Sequence, residues 1–221
     1  MKKIKIKNKT LLMICVVIIS LISLSTIAYF ISQDKVTNII NTGDVDITVN
    51  EDFNKPDDWD GGLYPKVVSV TNNTDTPTLI RVSITPRWEN EDGKPYLGDT
   101  SIVELGMKNT IDRTKPLEQL LEEPGWVNGN DGYYYYYNTI VKRNPSITDI
   151  SKDEGATTKN LLELVKLNIS DDLKNVYKDK NLKIDVKAEA VQATEKAYVS
   201  SWISVKDDKV IKDMLDRLCV R

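Results

Sequence analysis

The strongest constraint on the fold is a strict alternation of apolar and charged residues near the C-terminus, at positions 182–193. The apolar positions are Leu182, Ile184, Val186, Ala188 and Ala190, and the charged positions between them are Lys183, Asp185, Lys187 and Glu189. Successive side chains of a strand point to opposite faces of a sheet, whereas a helix repeats about every 3.6 residues. The segment therefore predicts a β-strand with one buried face and one face in water.

Shorter segments of the same kind precede it and predict an all-β fold. They cover residues 44–49, 66–72, 78–88, 102–107, 133–141 and 161–169. Turn segments rich in Gly, Pro, Asn and Asp separate them, including a loop over 50–65. The turn 73–77 makes either a hairpin or a crossover between sheets. Seven or eight short strands predict an antiparallel two-sheet sandwich of jelly-roll or immunoglobulin-like topology.

Helical periodicity is confined to short segments at the periphery of this sandwich. Single helical turns are predicted at 116–123 and 171–178. Over 206–218 one stripe contains Val210, Ile211, Met214, Leu215 and Leu218, and either Asp207 or Asp208 is placed to cap its start. We expect a short amphipathic C-terminal helix that either docks on the sandwich or offers a surface to a partner.

The N-terminus has the three regions of a secretory signal. The first ten residues carry five lysines and no acid, an apolar run follows, and the small residues Thr26 and Ala28 stand two apart. This pattern predicts cleavage between Ala28 and Tyr29. The alternative is an uncleaved anchor, because Leu11–Ile31 is about twenty residues long and could span a bilayer as a helix.

Cleavage would change the charge of the chain and define its organisation. Loss of five lysines leaves 25 basic and 33 acidic residues, a net charge of −8. An acidic exported protein is a poor partner for nucleic acid or anionic lipid, so membrane contact is expected only through the uncleaved signal. The predicted parts are a signal peptide at 1–28, an N-terminal segment at 29–43, a β-sandwich domain at 44–205 and a helix at 206–221.

Composition argues against enzymatic chemistry. The chain has no histidine, which excludes Ser-His-Asp and Cys-His triads and the zincin motif. No carboxylate pair stands out for glycoside hydrolysis. We predict no catalytic residue, no cofactor and no metal. The cluster Asp57, Asp58 and Asp60 could offer oxygen ligands to calcium, but it lacks the spacing of a known loop, and a solvated turn is favoured.

Cysteine usage excludes an internal disulfide in the processed chain. Cys15 lies within the signal, so Cys219 alone would remain. Stability must then come from packing.

Five consecutive tyrosines, Tyr133–Tyr137, form the chain's most aromatic stretch. On a strand, Tyr133, Tyr135 and Tyr137 would face one side. One interpretation is a stacking platform for sugars or bases, which together with Trp59 and Trp126 would make the protein a carbohydrate-binding adhesin. The favoured interpretation is that one face packs in the core and the other makes cross-strand pairs.

The segment 29–41 is a candidate donor strand. Its apolar side chains include Phe30, Val36, Ile39 and Ile40, and it contains neither Gly nor Pro. Such a segment needs a sheet to lie on. Strand edges with unpaired amides invite an added strand, and donor-strand complementation is a known form of this pairing.

Three places along the chain together resemble one known family. They are Ala28-Tyr29-Phe30 followed by Gly43–Val49, then Tyr64–Asn72 running on to Arg81–Pro86, and then Gly132–Tyr137 with Ala188–Ala193 near the end. This pattern, over about residues 10–202, is similar to the TasA/camelysin-type matrix proteins and in particular to their BsaA-like branch. The insert at 142–158 and the tail at 206–221 with Cys219 depart from it.

The resemblance implies a specific biology. It implies a SipW-dependent signal peptide cut by a dedicated signal peptidase, and a jelly-roll-like domain that polymerises with itself into extracellular biofilm fibres. It also implies that the N-terminal segment leaves its own subunit and completes the sheet of the next. Some relatives are described as metalloproteases, an activity that the absence of histidine here argues against.

Overall fold

Two β-sheets dominate the part of the chain that the computed structural model describes, residues 45–53, 62–120, 124–139 and 156–219. The strands are β1 (Ile47–Phe53), β2 (Leu63–Asn72), β3 (Thr78–Asn90), β4 (Pro95–Tyr96), β5 (Val103–Met107), β6 (Thr110–Ile111), β7 (Gly125–Asn128), β8 (Tyr134–Tyr137), β9 (Leu162–Leu167) and β10 (Lys180–Gln192). The helices are α1 (Leu117–Leu120), α2 (Asp171–Tyr177), α3 (Glu195–Ser201) and α4 (Lys209–Leu218), with a 3₁₀ helix at Ile203–Asp207.

Several predicted features lie outside these ranges. They are the cleavage residues Thr26, Ala28 and Tyr29, the donor residues Phe30, Val36, Ile39 and Ile40, the aspartates at 57, 58 and 60, and Trp59. The predicted N-terminal membrane helix lies there too. Within the described residues, no helix is both long enough and apolar enough to cross a membrane.

The strand order places some neighbours in sequence side by side and others in different sheets. The first sheet has the order β1-β2-β9-β5, and the second has the order β10-β3-β8-β7-β6, with β4 pairing to β3. All pairs are antiparallel except β6 with β7, which is parallel and departs from the predicted purely antiparallel pattern. The turn at 73–77 is a crossover, because β2 and β3 belong to different sheets.

The predicted β-rich fold with two sheets is confirmed, with differences at element boundaries. Alternation around the start of β1 follows the prediction: Val45 and Ile47 are buried, while Asp46 and Thr48 are exposed. The predicted loop at 50–65 overlaps both neighbouring strands, because β1 runs to Phe53 and β2 begins at Leu63. The two-residue strands β4 and β6 are too short to show a period of two, and β7 has three consecutive buried residues.

The two sheets share a hydrophobic core made of two clusters. In one cluster, Val70 of β2 packs with Val82 of β3 and Ala188 of β10. In the other, Val165 of β9 packs with Trp88 of β3. Each cluster joins residues of both sheets, so the inner faces bury each other's apolar side chains.

A third cluster lies on the outer face of the second sheet, beneath the C-terminal segment 194–219. There Met214 and Leu215 of α4 pack with Tyr135 and Val191 of the sheet. Asp208 caps α4, since its Oδ1 accepts a hydrogen bond of 3.1 Å from the backbone N–H of Ile211. Of the two expectations for this helix, docking on the sheet is therefore the one that the structure confirms.

The docked segment corrects the predicted wet face of β10. Leu182, Ala188 and Ala190 are buried as expected, and Asp185 is exposed. Glu189, however, is only 2% exposed. The cause is tertiary, because the C-terminal segment covers this end of the strand and converts its outer face into a second buried face.

Candidate strand-docking site

A candidate docking site must be sought among the outermost strands of the two sheets. The ends of the two sheets are β1 and β5 in the first and β10 and β6 in the second. The longest of them is β10, which pairs with β3 over all 13 of its residues. No other strand of the described ranges pairs with its opposite side. An edge of this kind presents backbone donors and acceptors to an incoming strand.

The side of the core bounded by β5 and β6 is closed by the chain itself. Only Lys108 and Asn109 separate these strands, so the backbone crosses from one sheet to the other at this point. Lys108 N–H donates to the Leu161 carbonyl over 2.7 Å, and the Asn109 carbonyl accepts from Trp126 N–H over 2.8 Å. Asn109 has φ of 52°, a left-handed conformation that asparagine tolerates.

On the side bounded by β1 and β10, apolar side chains are only partly covered, as Leu105 and Met107 of β5 also are. Val49 of β1, Ile84 of β3 and Val186 of β10 pack against both inter-sheet clusters, yet all three are half-buried. Ile184 of β10 is half-buried as well. An added strand that covered these side chains would remove further apolar surface from water, which is favourable. We call Val49, Ile84, Ile184 and Val186 the edge groove.

An ion pair on β1 and β2 limits the apolar lining of the edge groove. Lys66 Nζ lies 2.6 Å from Glu51 Oε2, and Lys66 is 4% exposed. Glu51 stands two residues after Val49 on β1, so the two side chains share a face. The lining thus changes from apolar at Val49 to charged at Glu51.

A buried polar cluster lies on the opposite, outer face of the second sheet. Arg81 of β3 and Glu189 of β10 are direct cross-strand partners and are 7% and 2% exposed. Arg81 Nε and Nη2 donate to Glu189 Oε2 over 2.8 and 2.5 Å. The other oxygen, Oε1, accepts from Tyr133 OH over 2.9 Å and lies 2.6 Å from Lys187 Nζ. Every oxygen of this buried carboxylate therefore has a charged partner.

The C-terminal segment contributes to the same cluster. The Arg81 guanidinium carbon lies 3.9 Å from the Tyr133 ring centroid and 5.0 Å from the Trp202 ring. Asp131 Oδ2 accepts from Tyr135 OH over 2.6 Å and from Ser204 Oγ over 2.7 Å. Trp202 and Ser204 lie between α3 and α4, so the cluster ties that segment to the sheet. We call these contacts the Arg81 cluster.

Electrostatics keep the Arg81 cluster charged at neutral pH. Burial acts to raise the pKa of Glu189, but hydrogen bonds from Lys187 and Arg81 bring it below its ordinary value. The pKa of Asp131 is lowered in the same way, against burial, by bonds from Tyr135 and Ser204. Burial and the bond to Asp131 raise the pKa of Tyr135 to about 12. None of these groups is poised to exchange a proton near neutral pH, so the cluster acts by fixed charge and geometry.

The aromatic residues that an adhesin would use are mostly buried. Trp126 is fully buried and packs against Tyr136 at a centroid distance of 4.9 Å in the inter-sheet core. Tyr135 and Tyr137 pack beneath the C-terminal segment. The predicted alternation of the tyrosine run is confirmed, and so is the core packing of one face. The other face, which was expected to make cross-strand pairs, packs beneath the C-terminal segment, and within the run only Tyr133 and Tyr134 are half-buried.

Two further candidate chemistries find little support among the described residues. No group of three or more His, Cys, Asp or Glu side chains there is arranged to hold a metal ion. Burial and the neighbouring Asp216 carboxylate raise the pKa of Cys219 to about 11. The thiol is therefore protonated at neutral pH and is a weak nucleophile.

Comparisons of the chain with protein-family profiles, with curated proteins and with solved structures give no match. Functional inference therefore rests on the edges, the clusters and the sequence. Sequence reasoning predicted a donor segment, which lies outside the described residues, and it missed both the edge groove and the Arg81 cluster. The only sequence signal for the cluster was a pair of opposite charges on two predicted strands. Such charges come into contact only in one register between the two strands, and the sequence does not reveal that register.

Proposed function

We propose that the processed chain is a secreted structural subunit that polymerises with itself into extracellular fibres by strand addition. Segment 29–41 of one copy would pair with the outer edge of β10 in the next copy and cover the edge groove. The observation that carries this proposal is the long β10 edge beside half-buried Ile184 and Val186, while the β5–β6 side is closed.

Chain topology supports a jelly-roll-like sandwich as the finer description of the fold. The chain switches sheets between β2 and β3, between β3 and β5, between β5 and β6, and again from β8 to β9 and from β9 to β10. Repeated crossing between two sheets that share a core is typical of jelly rolls, in which two Greek keys are wound together. In such a fold an additional strand beside β10 would extend the second sheet.

Charge and hydrophobicity make segment 29–41 compatible with this edge. Its only charged residues are Asp34 and Lys35, so the segment is neutral overall. Between residues 180 and 187, the outer face of β10 carries Lys183, Asp185 and Lys187, which are also mixed in sign. Pairing would add main-chain hydrogen bonds of about 1 kcal/mol each. Full burial of a large apolar side chain such as Ile39 would add about 1.5–3 kcal/mol.

The signal sequence and the family resemblance support the cellular part of the proposal. The resemblance to TasA/camelysin-type proteins implies processing by a SipW-type peptidase and assembly in a biofilm matrix. Export of the chain is consistent with a secreted or cell-surface location. Its acidic net charge is consistent with the absence of a nucleic acid partner. The proposal requires no cofactor and no catalysis.

The first test is N-terminal sequencing of the secreted protein combined with negative-stain electron microscopy. We expect a terminus at Tyr29 and filaments. Secreted protein that remains strictly monomeric over a range of salt and pH would refute the proposed function.

A second test identifies the acceptor edge by cross-linking between copies. One copy carries Ile39→Cys, and the other carries Val186→Cys on β10 or, as the matched control, the half-buried Leu105→Cys on β5. All copies also carry Cys219→Ser, which removes the native thiol. With a short bis-maleimide linker, we expect heterodimers through position 186 and far fewer through 105. Equal yields would show that β10 is not the acceptor.

A further inference from the structure

The Arg81 cluster lies at a boundary along β10. Towards Gln192, Ala190 and Val191 are buried, Val191 beneath the C-terminal segment. In the other direction, residues 180–187 are half-buried or exposed, apart from Leu182. On the outer face of β10, Glu189 is thus the last buried residue before the open half of the strand, residues 180–187, which borders the edge groove.

Glu189 holds β10 against its neighbours by directional bonds. Arg81 of β3 donates to its carboxylate through two nitrogens. Tyr133, the residue before β8, donates to it through its hydroxyl. Trp202 covers Arg81 from the C-terminal segment. Two donors on one planar guanidinium fix both the distance and the orientation of a carboxylate, which apolar contacts do not.

We infer that Arg81 is a positioning residue for strand addition. Through Glu189 it holds β10 in one register and orientation on β3, so that the open half meets an incoming strand as a pre-ordered edge. An edge that is ordered before binding avoids the entropy cost of ordering during binding. Buried ion pairs can be retained because they select one structure, even where they add little stability. An ion pair of that kind would order the edge before the incoming strand binds. The inference rests on the proposed function.

The experiment compares Arg81→Met with Arg113→Met in the secreted protein. Arg113 is the matched control, because it bonds Asp208 over 2.6 Å and the Asn128 carbonyl over 2.9 Å. It therefore ties the C-terminal segment to the sheet without touching β10. We expect Arg81→Met to slow filament elongation by about tenfold, the change that about 1.4 kcal/mol produces. Amide hydrogen exchange over 183–187 should also accelerate, while Arg113→Met should leave both measurements near wild type.

A double variant separates positioning from stability. Arg81→Met alone leaves Glu189 buried without its guanidinium partner, and this variant could fail to fold. Arg81→Met with Glu189→Leu removes both charges, and such apolar replacements of buried ion pairs are often neutral or stabilising. We expect the double variant to unfold at the wild-type temperature yet to elongate as slowly as Arg81→Met.

The outcomes distinguish the inference from the proposed function. Wild-type protein that never polymerises would refute the proposed function and the inference with it. Wild-type protein that polymerises, together with a double variant that elongates at the wild-type rate, would refute the inference alone. In that case the ion pair would contribute only to stability.

Discussion

Leu215→Ala is predicted to destabilise the whole domain, although it lies only six residues before Arg221, the last residue. Its side chain is fully buried in the cluster between α4 and the outer face of the second sheet. A terminal helix that merely rested on the surface would tolerate this change. A helix that covers a second core would not, because truncation leaves a cavity against Tyr135, Val191 and Met214.

The magnitude follows from the burial of the side chain. Leu→Ala at a fully buried site costs about 2–5 kcal/mol, from lost transfer free energy and from the cavity that remains. For a chain of this size each kcal/mol lowers the melting temperature by about 2–4 °C, which predicts a fall of about 4–20 °C. The spread reflects how far the surrounding side chains can collapse into the space.

The assay is urea and thermal unfolding followed by far-ultraviolet circular dichroism. The matched control is Leu97→Ala, since Leu97 is fully exposed between β4 and β5 and loses no buried contact. We expect the control to stay within about 0.5 kcal/mol of wild type. If Leu215→Ala were equally mild, the C-terminal helix would be peripheral, and the second core described above would not contribute to global stability.

Three further predictions concern pH, assembly and processing. Because the pKa of Asp131 is lowered in the folded state, its stabilising contribution is present above its unfolded pKa and is lost as pH falls through the folded pKa. Asp131→Asn should therefore be less stable than wild type at neutral pH. When the melting temperature is measured at decreasing pH, that of Asp131→Asn should fall less steeply below about pH 4 than that of wild type. Deletion of residues 29–41 should abolish polymerisation while leaving the β domain folded, as measured by sedimentation and circular dichroism side by side; truncated protein that still forms fibres would show that assembly uses another surface. Ala28→Leu should block processing, because signal peptidases accept small side chains before the cut, and a mature terminus still found at Tyr29 by N-terminal sequencing would contradict the predicted site.

Sequence periodicity alone determined the secondary structure of the longer elements. The alternation in β10, the strands β1 and β3, and the stripe of α4 were all readable, because each repeats its period over several residues. The alternation of the tyrosine run was readable for the same reason. Strand β9 was readable from its apolar content instead, since its burial does not alternate. Composition also determined that no internal disulfide could stabilise a chain cleaved after Ala28, since only Cys219 would remain.

Tertiary structure decided which faces and edges are covered. The charged face of β10 is an ordinary solvent face by its own pattern, and only docking of the C-terminal segment buries Glu189. Arg81 and Glu189 are 108 residues apart, so their pairing depends on the register between β3 and β10. Local sequence carries no information about that register or about the crossover that closes the β5–β6 side. Both are set by how two sheets bury their apolar faces together, which is a property of the whole chain.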